Sequence, residues 1–453
     1  MPTERDLGGL EQAVRAAYRE ATPLSREWFA RASKALVGGV SGSVRYFSPY
    51  PAYFEIGSGS RTTDIDGNDY IDCFLCGACH LLGHRPPEIM AALQARAERG
   101  SLVLNPTLAT EVAEKLQEMI PAAERVRLLN SGTEAVMSAI RFARAFTGRT
   151  KIVKCNGIYH GMADQMLVGL DARGRRLGAG IPEEVVSQTL LTTYGDRDAL
   201  RELLRVHEVA AVLIDPAMHH GGLWAESPEF YADVQRMAAD AGALVIFDEV
   251  ISGFRLAPGG AQEYFGVTPD LAVFGKAFAV GEKLGAVVGR ADVMAVANPA
   301  PDRPLGPFAF QSGTCSDSTS AQAAALAAMG RYQRLGAEGA YKALADRALK
   351  LGEGLRDALE TRGIPCQFKQ LGPMVRLFLT DGPLDYAHCS QLDSRPINLF
   401  HLALLTEGVL TIPGSNDFFL SFAHTDGDVA AVVAAAHRVL ERFDFGLAAG
   451  TAR

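Results

Sequence analysis

Basic charge is scarce in this chain: 44 lysines and arginines stand against 52 aspartates and glutamates, for a net charge of -8. With no basic stripe interleaved with aromatics, a nucleic-acid function has no support and no nucleic-acid partner is expected. Long apolar runs are missing too. No stretch reaches the ~18 uninterrupted apolar residues of a membrane helix, and Met1 to Leu10 hold Glu4, Arg5 and Asp6 where a signal core would be apolar. Neither a membrane partner nor secretion is expected. Cysteines number only seven, an odd count spread over 453 residues, which speaks against a disulfide framework and for a cytoplasmic location. Gly-rich loops of Walker or dinucleotide spacing are absent, as are repeats and low-complexity segments. What is there, 48% hydrophobic and 21% charged residues, describes a folded protein of two or three domains suited to small-molecule chemistry.

Leu10, Val14 and Tyr18, then Trp28, Ala32 and Leu36, recur at helical spacing and predict an N-terminal arm over the first 36 residues, ending at Gly38-Gly39. Short alternating runs over 53–72, around the turn Asp66-Gly67-Asn68, predict a small strand meander. Strands are then expected at 126–129, 151–154, 209–214, 243–247, 271–274 and 286–288, with helices at 133–146 and 227–241. This alternation predicts an α/β fold, a mostly parallel central sheet covered by helices, with ligands at the carboxyl ends of the strands. Helices at 320–335 and 341–362, followed by apolar runs at 374–379 and 419–422, predict a smaller α+β domain. The expected division is an arm and small-domain segment over 1–75, a large cofactor domain over 76–330 and a C-terminal small domain over 331–453.

Cys73, Cys76 and Cys79 follow a C-x2-C-x2-C spacing, with His80 and His84 just beyond, which taken alone resembles a metal or iron–sulfur site. No fourth cysteine follows until Cys155, and the segment over 70–83 reads as a buried strand entering a Gly-rich turn. Small apolar packing is therefore the expectation, and no metal is expected.

Three elements carry chemistry. Asn130-Ser131-Gly132-Thr133-Glu134 lies between a strand and a helix, where amides and hydroxyls at a helix N-terminus favour a dianionic phosphate; an ordinary N-cap is the alternative. Asp248 follows an apolar strand and sits at its end, either as a functional acid or as a cap for the turn at Ser252-Gly253. Lys276 follows another strand and Gly275, where an apolar setting would lower its proton affinity and make it a nucleophile toward carbonyls. Taken together, a phosphate cradle, a strand-end acid and a strand-end amine meet the needs of pyridoxal 5'-phosphate.

Longer stretches resemble the class III (fold type I) aminotransferase family, and within it the glutamate-1-semialdehyde aminomutase branch. They include Gly38-Gly39-Val40 to Arg45, Asp64-Ile65-Asp66-Gly67-Asn68, Ser131 to Thr147, Tyr159-His160-Gly161, Phe247 to Arg255, Gly259 to Leu271 and Ala423-His424-Thr425. The resemblance implies a fold type I transferase, with its small domain built from both chain ends. By the same resemblance Lys276 is the lysine that receives the cofactor aldehyde, and Asp248, 28 residues earlier, faces the pyridine nitrogen. Lys283 is a rival amine without the preceding strand. Tyr159 and Val250 resemble the residues on the two faces of the ring, and Ser131, Gly132 and Thr133 the phosphate cradle. Thr314, in Ser312-Gly313-Thr314, resembles the segment that reaches the cofactor phosphate of the neighbouring subunit, which implies a homodimer with shared active sites. Arg45 resembles the arginine that binds the substrate carboxylate.

Departures fall on the substrate side. Asp215-Pro216 replaces a common Glu-Pro, and His220 stands where the aminomutase branch has an asparagine. Beyond Pro413 the segment reads Gly414-Ser415-Asn416-Asp417, with the branch's acid missing or displaced and no arginine. These changes put aminotransfer first, between a carboxylate-bearing amino compound and a keto acid or aldehyde. Intramolecular aminomutation of the glutamate-1-semialdehyde type is the alternative, and a non-catalytic cofactor-fold protein is a reading of a different class.

Overall fold

A proline divides the N-terminal arm: where one helical pattern was expected there are two helices, Glu4–Ala21 and Pro23–Ala32, because Pro23 has no N–H to continue the first and suits the opening turn of the second. The computed structural model describes residues 4–170, 178–302 and 306–445. Its contacts form two units, a smaller one of Met1–Gly77, Leu81–Pro86 and Lys342–Arg453, and a larger one of Ala78–His80 and Pro87–Tyr341. Helix Thr319–Ala337 stays whole within the larger unit, so the division falls after that helix and not at 330 inside it.

In the smaller unit the two helices are followed by the expected meander, Phe54–Ser58 (β1), Arg61–Asp64 (β2) and Asp69–Asp72 (β3), paired antiparallel. The Asp64 carboxylate ties its turn by accepting from the amides of Asp66 at 3.0 Å and Asn68 at 2.8 Å. After β3 the chain does not continue as a strand into the cysteine cluster. Leu75, Cys76, Gly77 and Ala78 all have positive φ, a tight left-handed turn. The packing expectation holds for buried Cys73; Cys76 is exposed on this turn.

The larger unit carries seven strands: Arg125–Leu129 (β4), Lys151–Cys155 (β5), Thr189–Thr192 (β6), Val209–Ile214 (β7), Leu244–Asp248 (β8), Leu271–Phe274 (β9) and Gly285–Gly289 (β10). Their order is β4-β10-β9-β8-β7-β5-β6, parallel except for β10, which runs antiparallel to both of its neighbours. β7, β8 and β9 are buried at every residue, the continuous apolar pattern of central parallel strands. β6 went unread because its four residues form an edge strand with two partly exposed positions. Helix Gly132–Thr147 lays Ala135, Ala139, Ile140 and Ala143 into the sheet's core with Leu213, Ile246 and Val273.

In the C-terminal part of the smaller unit, Gln367–Leu371 (β11), Met374–Phe378 (β12) and Asp417–Phe419 (β14) form an antiparallel sheet, while Val409–Leu410 (β13) pairs parallel with β3. Asp417 is buried on β14 and ion-paired to Arg376 of β12 at 3.1 Å. Among the described residues no helix is long and apolar enough to cross a membrane, and no group of three or more metal-ligating side chains occurs.

Candidate active site

Asp248 is the last residue of β8 and is 7% exposed. Its Oδ2 lies 2.7 Å from His160 Nδ1 and its Oδ1 accepts the Val250 amide at 3.0 Å. Both oxygens are thus held in place. The capping alternative falls to its neighbour: Glu249 accepts Ser252 Oγ at 3.3 Å, the Ala261 amide at 2.5 Å and Gln262 Nε2 at 2.9 Å. Burial pushes the Glu249 carboxyl up to about 7 despite these donors.

Lys276 follows β9 and Gly275 in a left-handed conformation, φ +47°, and opens a single 3-10 turn, Lys276–Phe278. A lysine there is strained and needs its surroundings to hold it. The Ala277 carbonyl accepts the Tyr332 hydroxyl at 2.8 Å, and the Phe278 amide donates to Gly275 at 2.9 Å. Phe254 stacks on both Phe278, at 5.8 Å and 11°, and Tyr332, at 5.5 Å and 18°. Burial lowers the proton affinity of the Lys276 amine; the fields of Cys79 and Asp248 oppose this and that of Arg255 adds to it. Lys283, the rival, is exposed.

The third element starts at Ser131, the N-cap of helix Gly132–Thr147, whose hydroxyl accepts the Glu134 amide at 3.2 Å while Glu134 Oε2 accepts the Asn130 amide at 2.8 Å. The Ser131 cap, which contributes about 1 kcal/mol, fixes where the helix begins, and Glu134 ties down the residue before it. A Cβ at Gly132 would lie 2.7 Å from a Val250 methyl, and one at Gly161 would lie 2.7 Å from Thr133 Oγ1. Only glycines admit such approach, so the helix start, the β8 end and the Tyr159–Gly161 segment meet within the larger unit. Gly313 also stands against Asn130, with a Cβ position 3.1 Å from its amide nitrogen, and Thr314 next to it is exposed.

Tyr159 is half-buried, and its ring meets that of exposed His220 edge-on at 5.4 Å. Burial raises the affinity of its hydroxyl for its proton, opposed by a hydrogen bond to Thr133. His220 sits in the short turn His219–Gly222 after β7, built on Asp215, which accepts the amides of Ala217 at 2.9 Å and His219 at 3.1 Å. Burial and the neighbouring Asp248 push the Asp215 carboxyl up to about 6. Arg45 belongs to the smaller unit, exposed on the 3-10 turn Ser43–Arg45. Sequence reading missed His160 as the partner of Asp248. Its position directly after Tyr159 was the available signal.

An acid and an amine at adjacent strand ends, on a mostly parallel sheet of this order, belong to a recognised class, the pyridoxal-phosphate-dependent transferases of fold type I. The chain is a member of the class-III aminotransferase family, whose model matches residues 46–376, and is an enzyme that uses pyridoxal phosphate. It is 37% identical over 429 residues to a glutamate-1-semialdehyde 2,1-aminomutase of Desulfitobacterium hafniense, covering 92% of this chain and 98% of that one. An omega-transaminase structure from Sphaerobacter thermophilus superposes with a TM-score of 0.85 at 33% identity, covering 92% of this chain and 97% of that one. A glutamate-1-semialdehyde aminomutase from Pseudomonas aeruginosa, in complex with PMP, gives 0.86 at 25% identity over 97% and 99% of the two chains. The sequence expectation put transfer between two molecules first; these relatives give the aminomutase reading the stronger support.

Proposed function

We propose that the enzyme moves an amino group between adjacent carbons of one carboxylate-bearing amino aldehyde, a reaction of the glutamate-1-semialdehyde aminomutase type. The observation that carries this reading is the 37% identity to such an aminomutase across 92% of the chain. The residues present suit the cofactor. An amine with lowered proton affinity, a buried strand-end carboxylate and a helix start bearing Ser131 and Thr133 answer an aldehyde, a pyridine nitrogen and a phosphate in turn.

Bound pyridoxal phosphate supplies a carbonyl for the substrate amine and a ring that takes up the electron pair of the carbon losing its proton. In this reading Lys276 would be the amine that holds the cofactor aldehyde, and once freed it would carry the proton between the substrate carbon and C4′ of the cofactor. Asp248, oriented by His160, holds a proton at the ring nitrogen. Tyr159 and Val250 would bracket the ring, and Ser131, Gly132 and Thr133 would donate to the phosphate. Arg45 takes the substrate carboxylate through its planar fork, and His220 borders the substrate. Thr314 serves the phosphate of a second copy, which makes a cytoplasmic homodimer part of the proposal.

A second reading, transfer between two molecules, is favoured by the substrate-side turn: Asp215 stands where the family commonly has a glutamate and His220 where the aminomutase branch has an asparagine. One assay separates the two. Cofactor-loaded enzyme given glutamate-1-semialdehyde alone should isomerise it at full rate; turnover only after a separate amino acceptor is added would establish transamination instead.

A further inference from the structure

Lys154 lies on β5 with its side chain fully buried. Its Nζ donates to the carbonyls of Ile158 at 2.8 Å, Val168 at 2.8 Å and Met166 at 3.4 Å. An ammonium group has three protons to give, and all three end on backbone oxygens. Among the described residues no carboxylate stands within ion-pair distance of it, and burial lowers the amine to about 8. A buried cation without a counter-ion is costly, and a Leu or Met of similar volume would fill the space without that cost. The amine therefore serves the three carbonyls, which would otherwise be buried without donors.

Those carbonyls belong to one loop. Ile158 immediately precedes Tyr159, Met166 and Val168 lie on the return, and the Gly157 amide donates to the Gly169 carbonyl at 2.8 Å, closing the neck. The loop is gathered around a single nitrogen. From it His160 reaches Asp248 Oδ2 at 2.7 Å, with a ring buried and only 2% exposed. The loop has other inward ties, among them Asn156 donating to Thr192, Thr189 Oγ1 donating to the Gln165 carbonyl at 3.4 Å, Gly161 packing on Thr133 and Met166 in the sheet's core; what Lys154 adds is one donor shared by both limbs.

We propose that Lys154 is a positioning residue: it clamps the 157–169 loop so that His160 holds the Asp248 carboxylate in its working orientation. The inference rests on the role given above to Asp248, and it makes an amine two steps removed from the cofactor part of the machinery. Removing the clamp lets the His160 ring drift, and small misplacements remote from the reacting atoms lower rates by up to about 100-fold.

The test uses cofactor-loaded Lys154→Met and Lys154→Gln, with His160→Asn and the Lys154→Met/His160→Asn double variant. Lys154→Met should speed amide exchange within 157–169 while leaving the rest of the sheet protected. It should alter the circular dichroism of the bound cofactor's visible band and lower kcat about 10- to 100-fold, with KM nearly unchanged. In the His160→Asn background the same change should cost about twofold or less, because the two residues act in series. Equal losses in both backgrounds, or unchanged exchange and dichroism in Lys154→Met, would overturn the proposal. So would failure of both Lys154 variants to fold, which would make the amine a folding element only. Absence of a cofactor band in the unmodified enzyme would instead refute the functional reading beneath it.

Discussion

Two stretches at the carboxyl ends of the larger sheet are built in different ways. The ends of β8 and β9 present Asp248 and Lys276 from strands buried at every residue, with each group held by neighbours from distant parts of the chain. The turn after β7 is anchored at its start, where the Pro216 carbonyl accepts the Tyr231 and Tyr194 hydroxyls, and beyond that is held largely by its own residues: Asp215 caps residues two and four positions on, Met218 and Leu223 take positive φ, and His220 is exposed. A group fixed by long-range packing cannot change without disturbing the core. A turn whose tip is tied to itself can be rebuilt with less disturbance, and the departure at His220 lies in such a place. The cofactor chemistry should therefore depend on the first stretch and the choice of substrate on the second.

The sharpest way to break this contrast is Lys276→Ala. Turnover should fall about 10,000-fold or more, because both the covalent attachment and the proton carrier are lost, while phosphate-side binding persists. Single-turnover kinetics with equilibrium dialysis of the cofactor will check it. Asp248→Asn comes next: a neutral amide cannot hold the ring proton, and kcat should drop about 100- to 1,000-fold at saturating cofactor. Near-normal turnover there would remove the acid from the scheme.

On the other side, His220→Ala should shift the ratio of kcat/KM values between competing amino substrates by about tenfold or less, leaving the cofactor's affinity unchanged. A loss of cofactor in that variant would erase the distinction between the two stretches. A separate effect, on stability and not on turnover, comes from the acid beside Asp248. Folding raises the Glu249 carboxyl from its ordinary range to about 7, so the folded state binds that proton more tightly than the unfolded chain. Its contribution to stability is full below about pH 4 and is lost as pH rises through about 7, a change of about 3 kcal/mol. Glu249→Gln should lack this decline, which urea unfolding of both proteins at pH 5 and pH 8 will measure.

The same contrast accounts for what the sequence made legible. Asp248 and Lys276 could be read because each ends an uninterrupted apolar strand, and the structure puts them at the ends of β8 and β9. Helix Gly132–Thr147 was visible from its cap and its small-residue face. The His160–Asp248 pair was not, since it joins residues 88 apart and depends on the path of a loop. The carbonyl clamp of Lys154 was equally hidden: on paper it is a lysine closing a strand, and its acceptors are backbone atoms that any sequence possesses. A turn was expected after β3, but its left-handed conformation was not legible because Leu75, Cys76 and Ala78 have no intrinsic preference for positive φ.

The central claim is that the amine at the end of β9 is the one that receives the cofactor. Borohydride reduction of the cofactor-loaded enzyme, followed by proteolysis and peptide mass mapping, tests it directly. The account predicts a pyridoxyl group on Lys276 alone; a group on Lys283, or no labelled lysine in an enzyme that retains its cofactor, would contradict it.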